Sequence, residues 1–212
     1  MLKVENLSVS IAAMRILREV SLEVPDGAMV GLIGRNGAGK TTLMKSVMGL
    51  LKASGGRVAW ADGDLLKIPT HERARQGIGY MPEDRRLIPE LTVEENILVP
   101  AWATGAADVG ERLRKIHDYI PELKELGPRK GLQLSGGQQT LAALARALMC
   151  GTRLLLLDEP FEGVAPALAR RLAEVIAGLR QEGLSVLVSE SDLQHSEKMV
   201  DRVVTIDRGA IA

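Results

Sequence analysis

The sequence predicts an α/β fold: a core with a parallel-type sheet, an N-terminal antiparallel β subdomain and an inserted helical subdomain. Three observations carry this. Short apolar runs the length of buried strands alternate with helical spacing through the second half of the chain. Two β-type runs open the sequence, ahead of the first glycine-rich loop. Residues 92–126 show helical spacing of charged and apolar residues with no strand signal between them. A length of 212 residues suits one well-buried core. The chain is therefore expected to be a single domain, with 1–83 and 151–212 as core and β subdomain and 84–150 as the helical subdomain.

Taken in order, residues 2–11 and 20–24 read as strands, closed by the turn Pro25-Asp26-Gly27. Residues 28–33 are an apolar run of buried-strand size that feeds a glycine-rich loop, and 41–51 follow with helical character. Gly55-Gly56 punctuates the chain before strand signals at 57–60 and 78–81. The helical stretch 92–126 is expected to break at Pro100, Gly105, Gly110 and Pro121. A helix over 137–149 leads to a strand at 154–157. Helix 166–180, strand 185–189, helix 192–200 and strand 202–206 complete the alternation. There is no internal repeat and no low-complexity segment.

Composition narrows the function classes. Apolar residues make up 46% and charged residues 25%, as in an ordinary globular chain rather than a disordered one. Lys plus Arg and Asp plus Glu stand at 27 each, so the basic footprint of a nucleic-acid binder is absent and no nucleic-acid partner is expected. No apolar run approaches the roughly 18 residues of a membrane span, and the first ten residues alternate like a strand rather than an export signal. Any membrane role is thus expected to come through a partner. Cys150 is the lone cysteine, which rules out an internal disulfide and fits a small buried residue near a helix end.

Two motifs carry chemistry. Gly34-Arg35-Asn36-Gly37-Ala38-Gly39-Lys40-Thr41 fits G-x-x-x-x-G-K-[ST] in full, with Thr42 after it. Its glycines let successive N–H groups turn toward phosphate oxygens, and the loop runs into a helix N-terminus whose partial positive charge favours an anion. Lys40 is expected to reach the β and γ phosphates and Thr41 to take a Mg²⁺ position. The pattern arises by chance on the order of once in tens of thousands of positions. An apolar strand before it and a helix after it make an incidental glycine turn the poorer reading. Leu154-Leu155-Leu156-Leu157-Asp158-Glu159 is an apolar strand ending in two acids. Alone it would read as a strand running into a polar turn. Beside the phosphate loop, Asp158 is expected to hold Mg²⁺ and Glu159 to orient or deprotonate an attacking water.

At Leu134-Ser135-Gly136-Gly137-Gln138 the sequence resembles the ATP-binding cassette family, whose members carry LSGGQ at the start of a helix. Ser135 and the Gly136-Gly137 backbone offer hydroxyl and N–H donors at a positive helix end. The same residues also read as a plain helix cap. The resemblance covers nearly the whole chain. It implies a P-loop NTPase core that takes ATP and Mg²⁺, and a signature segment (Ser135, Gly136, Gly137, Gln138) that serves the ATP of a second, identical or paralogous ATPase subunit. It is nearest to the ATPases of branched-chain amino-acid importers, through Tyr80-Met81-Pro82-Glu83, Leu91-Thr92-Val93-Glu94-Glu95-Asn96 and Asp158-Glu159-Pro160 leading into Gly163-Val164-Ala165-Pro166. It further implies an integral-membrane permease, indirectly a solute-binding protein, and a place on the cytoplasmic face of the membrane. The chain stops just past the last predicted strand, where members of the family usually continue with a short tail, so it reads as a truncated or short member.

Three positions depart from the family pattern. Ile11 stands where an aromatic usually stacks on adenine, which predicts weaker apolar contact and loose base selectivity. Glu83 replaces a glutamine between ATP, metal and membrane partner. A carboxylate near the γ-phosphate costs about 4 kcal/mol at ~4 Å for an effective dielectric near 20 unless Mg²⁺ or protonation offsets it. The resemblance to the branched-chain importer ATPases, where Glu is common at this place, implies a metal-compatible role. Ser191 stands where a histidine usually contacts the γ-phosphate, and a hydroxyl brings no positive charge there. His195, one helical turn on, reads as a surface helix residue, the alternative being that it reaches in. The expected function is ATP hydrolysis coupled to import. Two rivals stand beside it: a soluble cassette ATPase without a permease, and a regulatory cassette that dimerises with little turnover.

Overall fold

A computed structural model describes all residues, 1–212. Two sheets form the frame. The first is antiparallel, with β1 (Leu2–Ile11), β2 (Met14–Val24), β4 (Gly55–Trp60) and β5 (Gly63–Asp64) in the order β2-β1-β4-β5. The second holds β3 (Met29–Ile33), β6 (Ile78–Met81), β7 (Leu154–Asp158), β8 (Ser185–Glu190), β9 (Arg202–Asp207) and β10 (Ala210–Ile211) in the order β10-β9-β3-β8-β7-β6. Every pairing in it is parallel except that of β10 with β9. Because β3, β7 and β8 lie side by side, their carboxyl ends converge on one edge, where ligands of open α/β sheets bind.

The period-2 alternation of β7 explains why the sheet is closed on both faces. Leu154 and Leu156 enter a core shared with β1, β2, β4 and helix α1 (Lys40–Val47). Leu155 and Leu157 enter a second core on the opposite face. All four leucines are fully buried, each contributing about 2 kcal/mol relative to exposure. The second core continues from α7 (Pro166–Gly178) through α6 (Gly136–Cys150) into the inserted helices. It therefore ties the helical subdomain to the sheet by burial as well as by chain connection.

After the one-turn helix α2 (Thr70–Arg73), the helical subdomain comprises α3 (Val93–Thr104), α4 (Val109–Tyr119), α5 (Glu122–Leu126) and α6. Thr92 caps α3 reciprocally with Glu95, and Gly105 ends it at φ +68. Asn96, fully buried in α3, holds the preceding loop by accepting from Ile88 N (2.7 Å) and donating to the carbonyls of Ile88, Leu91 and Thr92. Two of the four expected breaks do not occur. Pro100 lies inside α3, whose buried face of Val93, Ile97 and Ala101 holds the helix through it. Gly110 falls in the first turn of α4, where its missing side chain costs little.

Other boundaries differ for identifiable reasons. β2 begins at Met14 rather than residue 20, because its exposed first half pairs with β1 across irregular register and shows no clean alternation. Helix α1 ends at Val47, short of residue 51, where Gly49 takes φ +75. The expected helix over 192–200 is absent: the segment is a series of turns between β8 and β9, with Val200 N bonded to Ser196 O at 3.0 Å. His195 there is a half-buried residue with its ring 5.3 Å from that of Phe161, not a surface helix residue. No helix is long and apolar enough to cross a membrane.

Candidate functional site

The glycine-rich loop follows the carboxyl end of β3, where two positions, Gly34 and Gly39, leave no room for a side chain. A Cβ on Gly34 would lie 2.3 Å from the carbonyl oxygen of Ile206 in β9. Gly39, which opens α1, has φ +113, a conformation side-chain-bearing residues rarely adopt. Gly34 N donates to Glu190 O (3.1 Å) and Gly209 N to Ala38 O (2.9 Å), so the loop is pinned to β8 and to the β9–β10 turn.

Lys40 is 4% exposed, and its ammonium donates to the carbonyls of Gly34 and of Arg35 and pairs with Glu159 Oε1 at 2.9 Å. Glu159 directly follows β7 and has φ +48, a left-handed turn that costs a non-glycine residue about 1–2 kcal/mol. Its N–H donates to Ser189 Oγ at 3.1 Å, which helps hold that turn. Burial pushes the Glu159 carboxyl above the usual carboxylate range, against the pull of the Lys40 ammonium and of the Ser191 hydroxyl. Such a carboxylate is a stronger base than an exposed one.

Asp158 is fully buried and accepts three hydroxyls: Thr41 Oγ1 (3.1 Å), Ser189 Oγ (2.8 Å) and Tyr80 OH (3.2 Å). Burial raises the Tyr80 phenol, and the Asp158 charge beside it adds to the effect, so Tyr80 stays a donor. The Thr41 hydroxyl and Asp158 carboxylate form an all-oxygen pair of the kind Mg²⁺ takes from a protein when phosphates and water complete its shell. These donors fit that metal. Nowhere do three or more His, Cys, Asp or Glu residues cluster as a metal cage.

A cavity of about 410 Å³ lies over these groups, lined by Ile16, Asn36, Gly37, Gly39, Lys40, Thr41, Thr42, Glu83, Glu159 and Glu162. Gly34, Arg35 and Ala38 face an adjoining hollow with Ser191. The Ser191 hydroxyl is 3.0 Å from Asn36 Oδ1 and 3.3 Å from Glu159 Oε1, linking the loop to the carboxylate. Ile11 stands apart, half-exposed near the tip of the β1–β2 hairpin, and the residue of that hairpin lining the cavity is Ile16.

Ser135, Gly136, Gly137 and Gln138 are not among the cavity's residues. They open α6 with a reciprocal cap, Ser135 Oγ accepting from Gln138 N (3.3 Å) and Gln138 Oε1 from Ser135 N (3.0 Å). Capping uses an oxygen lone pair and leaves the hydroxyl proton of Ser135 free to donate. Sequence reasoning missed Ile16, Tyr80, Ser189, Glu162 and Glu190 as neighbours of the site. The available signal for Ser189 and Glu190 was two polar residues ending an apolar parallel strand.

Comparison with known proteins agrees with this geometry. A family model described as ABC transporter matches residues 17–162. A high-affinity branched-chain amino acid transport ATP-binding protein of Pseudomonas aeruginosa is 36% identical over 100% of this chain and 91% of its own length. A lipopolysaccharide export system ATP-binding protein of Haemophilus influenzae is 34% identical over 99% of this chain and 88% of its own. Among solved structures, the ADP conformation of an ATP-binding cassette of an ABC transporter superimposes with a TM-score of 0.86 at 30% identity, covering 100% of this chain and 89% of that one. A dimeric bacterial ABC transporter cassette gives 0.87 at 25% identity over 100% and 96%.

Proposed function

Because the chain belongs to the ABC transporter family of ATP-binding cassettes, we propose that it is the ATPase subunit of an importer for branched-chain amino acids or a similar small polar solute. The observation that carries this reading is the junction of Lys40, Thr41, Asp158 and Glu159 at the converging ends of β3 and β7. In it the loop from Gly34 to Thr42 wraps the phosphates with backbone N–H groups, and Lys40 exchanges Glu159 for phosphate oxygens as its partner. Thr41 and Asp158 would hold Mg²⁺, with Glu83 in the same cavity lining as a further oxygen donor. Bound there, Mg²⁺ would supply Lewis-acid neutralisation of negative charge on the nucleotide phosphates. Glu159, released from Lys40, orients the attacking water and accepts its proton. Ser191 keeps Asn36 and Glu159 in register, and Ile16, with Ile11 beyond it, offers the base an aliphatic surface.

Ser135, Gly136, Gly137 and Gln138 serve the nucleotide of a second ATPase subunit, so ATP draws two copies or two paralogues together. The balanced net charge supports a protein partner rather than nucleic acid. That partner is a membrane permease, fed by a solute-binding protein, which holds the chain at the cytoplasmic face. Residues 84–150 form the coupling subdomain within one cassette domain.

A second reading is favoured by the lipopolysaccharide-export relative, whose 34% identity nearly equals that of the amino-acid transport relative. The membrane protein that co-purifies with the chain separates the two. A deletion strain losing branched-chain amino-acid uptake supports import, whereas an outer-membrane lipid defect supports export.

The deciding test is Mg·ATP turnover by the purified chain beside its Glu159→Gln variant. Loss of at least about 100-fold in the variant, with ATP still bound, is expected for a general base. Binding without turnover in either protein would favour a regulatory cassette, and no binding at all would sink the reading.

A further inference from the structure

Arg85 lies two residues beyond Glu83, in a stretch where Arg85 and Arg86 both adopt left-handed backbone, φ +59 and +46. Two consecutive non-glycine residues in that region are held there by something outside the segment. The holder is Arg146 of α6, whose guanidinium donates to the carbonyls of both Arg85 and Arg86. Arg85 N closes the turn on Pro82 O at 3.0 Å.

So fixed, the half-buried Arg85 side chain reaches two places. Its Nη2 donates to the carbonyl of Glu162, in the segment after the paired acids, at 3.4 Å. Its Nη1 lies 3.8 Å from where a Cβ on Gly136 would stand. No carboxylate pairs with it, and the adjacent Asp84 pairs with Arg86 instead, at 2.7 Å. One planar fork therefore spans the signature turn and the Glu162 segment, and its root is clamped to the helix that the signature turn begins.

We propose that Arg85 is a positioning residue that makes the signature turn, the 160–165 segment and the stretch after Glu83 move as one unit. A guanidinium suits this because its rigid plane can donate to the Glu162 carbonyl with one edge while the other lies against the Gly136 turn, whereas an ammonium acts as a point. The consequence for nucleotide chemistry rests on the dimer reading above. A displacement at Glu83 reaches the signature turn through Arg85 and Arg146, without passing through the chain's own phosphate loop.

The test uses the full chain as Arg85→Ala and Arg85→Lys, with thermal melting to show that both fold. Amide exchange is measured on the protein without nucleotide. The expected result for Arg85→Ala is faster exchange at both 134–138 and 160–165, by about tenfold, the upper range for a coupling residue, with Arg85→Lys smaller in effect. Amide exchange across the chain's own phosphate loop, 34–42, should be unchanged, a split that a general loss of structure would not give. Exchange that rises at only one of the two segments, or at neither, overturns the proposal. A second arm places Arg85→Ala in the Glu159→Gln background and measures the ATP concentration for half-dimerisation, expected to rise about tenfold. Failure of Glu159→Gln itself to dimerise would remove the dimer reading while the exchange result still decides the role of Arg85. A Glu159→Gln protein whose dimerisation ignores the Arg85 change overturns the proposal.

Discussion

Ser189 shows how much of the site depends on one small side chain. Its hydroxyl donates to Asp158 and accepts from the backbone N–H of Glu159, so it fixes both acids at once. Ser189→Ala is expected to leave the fold intact and lower kcat by about tenfold, the scale of losing a supporting hydrogen bond behind a metal-binding carboxylate. Steady-state turnover beside a melting curve checks it. Its neighbour Glu190 points to a different measurement. Burial pushes this carboxyl up to about 7, with the charges of Asp192 and Glu159 adding to the effect. An unfolded glutamate releases its proton near pH ~4.3, so the folded chain holds the proton more tightly. The stability this contributes is fully present below about pH 4 and is lost as pH rises through about 7. Glu190→Gln is therefore expected to stabilise the chain by about 3 kcal/mol at alkaline pH and far less at pH ~5, read by urea unfolding at both. The motif residues Lys40, Thr41, Asp158 and Glu159 were legible in the sequence because their spacing encodes a loop and a strand end. Ser189, Tyr80 and Ile16 were not, since their place depends on which strands become neighbours. Ile11 is expected at the base from resemblance alone, whereas Ile16 of the same hairpin lines the cavity and carried no signal of its own in the sequence.

At the scale of elements, helix α1 illustrates how the phosphate loop is anchored from behind. Arg73, 5% exposed, donates to Ser46 O and Val47 O at its carboxyl end and to Ile68 O in the loop before α2. The bond to Ser46 O joins one from Gly49 N at 3.0 Å, and the bond to Val47 O adds a donor at the carboxyl end, which a helix leaves short of partners. Arg73→Met keeps the bulk and removes the donors, and a loss of about 2 kcal/mol is expected in a urea titration. Strong periodicity made the long helices and central strands readable. What escaped was short or context-bound: β5 and β10 are two residues each, too brief for any period. Residues 192–200 carry helical spacing, yet Asp201 accepts from Met29 N (2.8 Å) and brings the chain straight into β9. Pro100 is the reverse case, a local breaker overruled by the buried face of α3.

For the whole molecule, the parallel sheet separates two cores whose packing meets in β7, the strand that delivers Asp158. Purified Glu159→Gln is expected to pass from monomer to dimer on addition of Mg·ATP and to stay monomeric with ADP, measured by sedimentation. An ATP-loaded variant that remains monomeric would remove the paired arrangement proposed above. One feature of the chain then sets its kinetics in solution. The signature turn at the head of α6 is no part of the cavity that holds Lys40 and Glu159. On the proposed reading, each chain carries two halves of different sites and completes neither alone. Specific activity becomes a function of dilution: when chains are scarce relative to their pairing constant, halving the protein halves the turnover per molecule, and the rate follows the square of concentration.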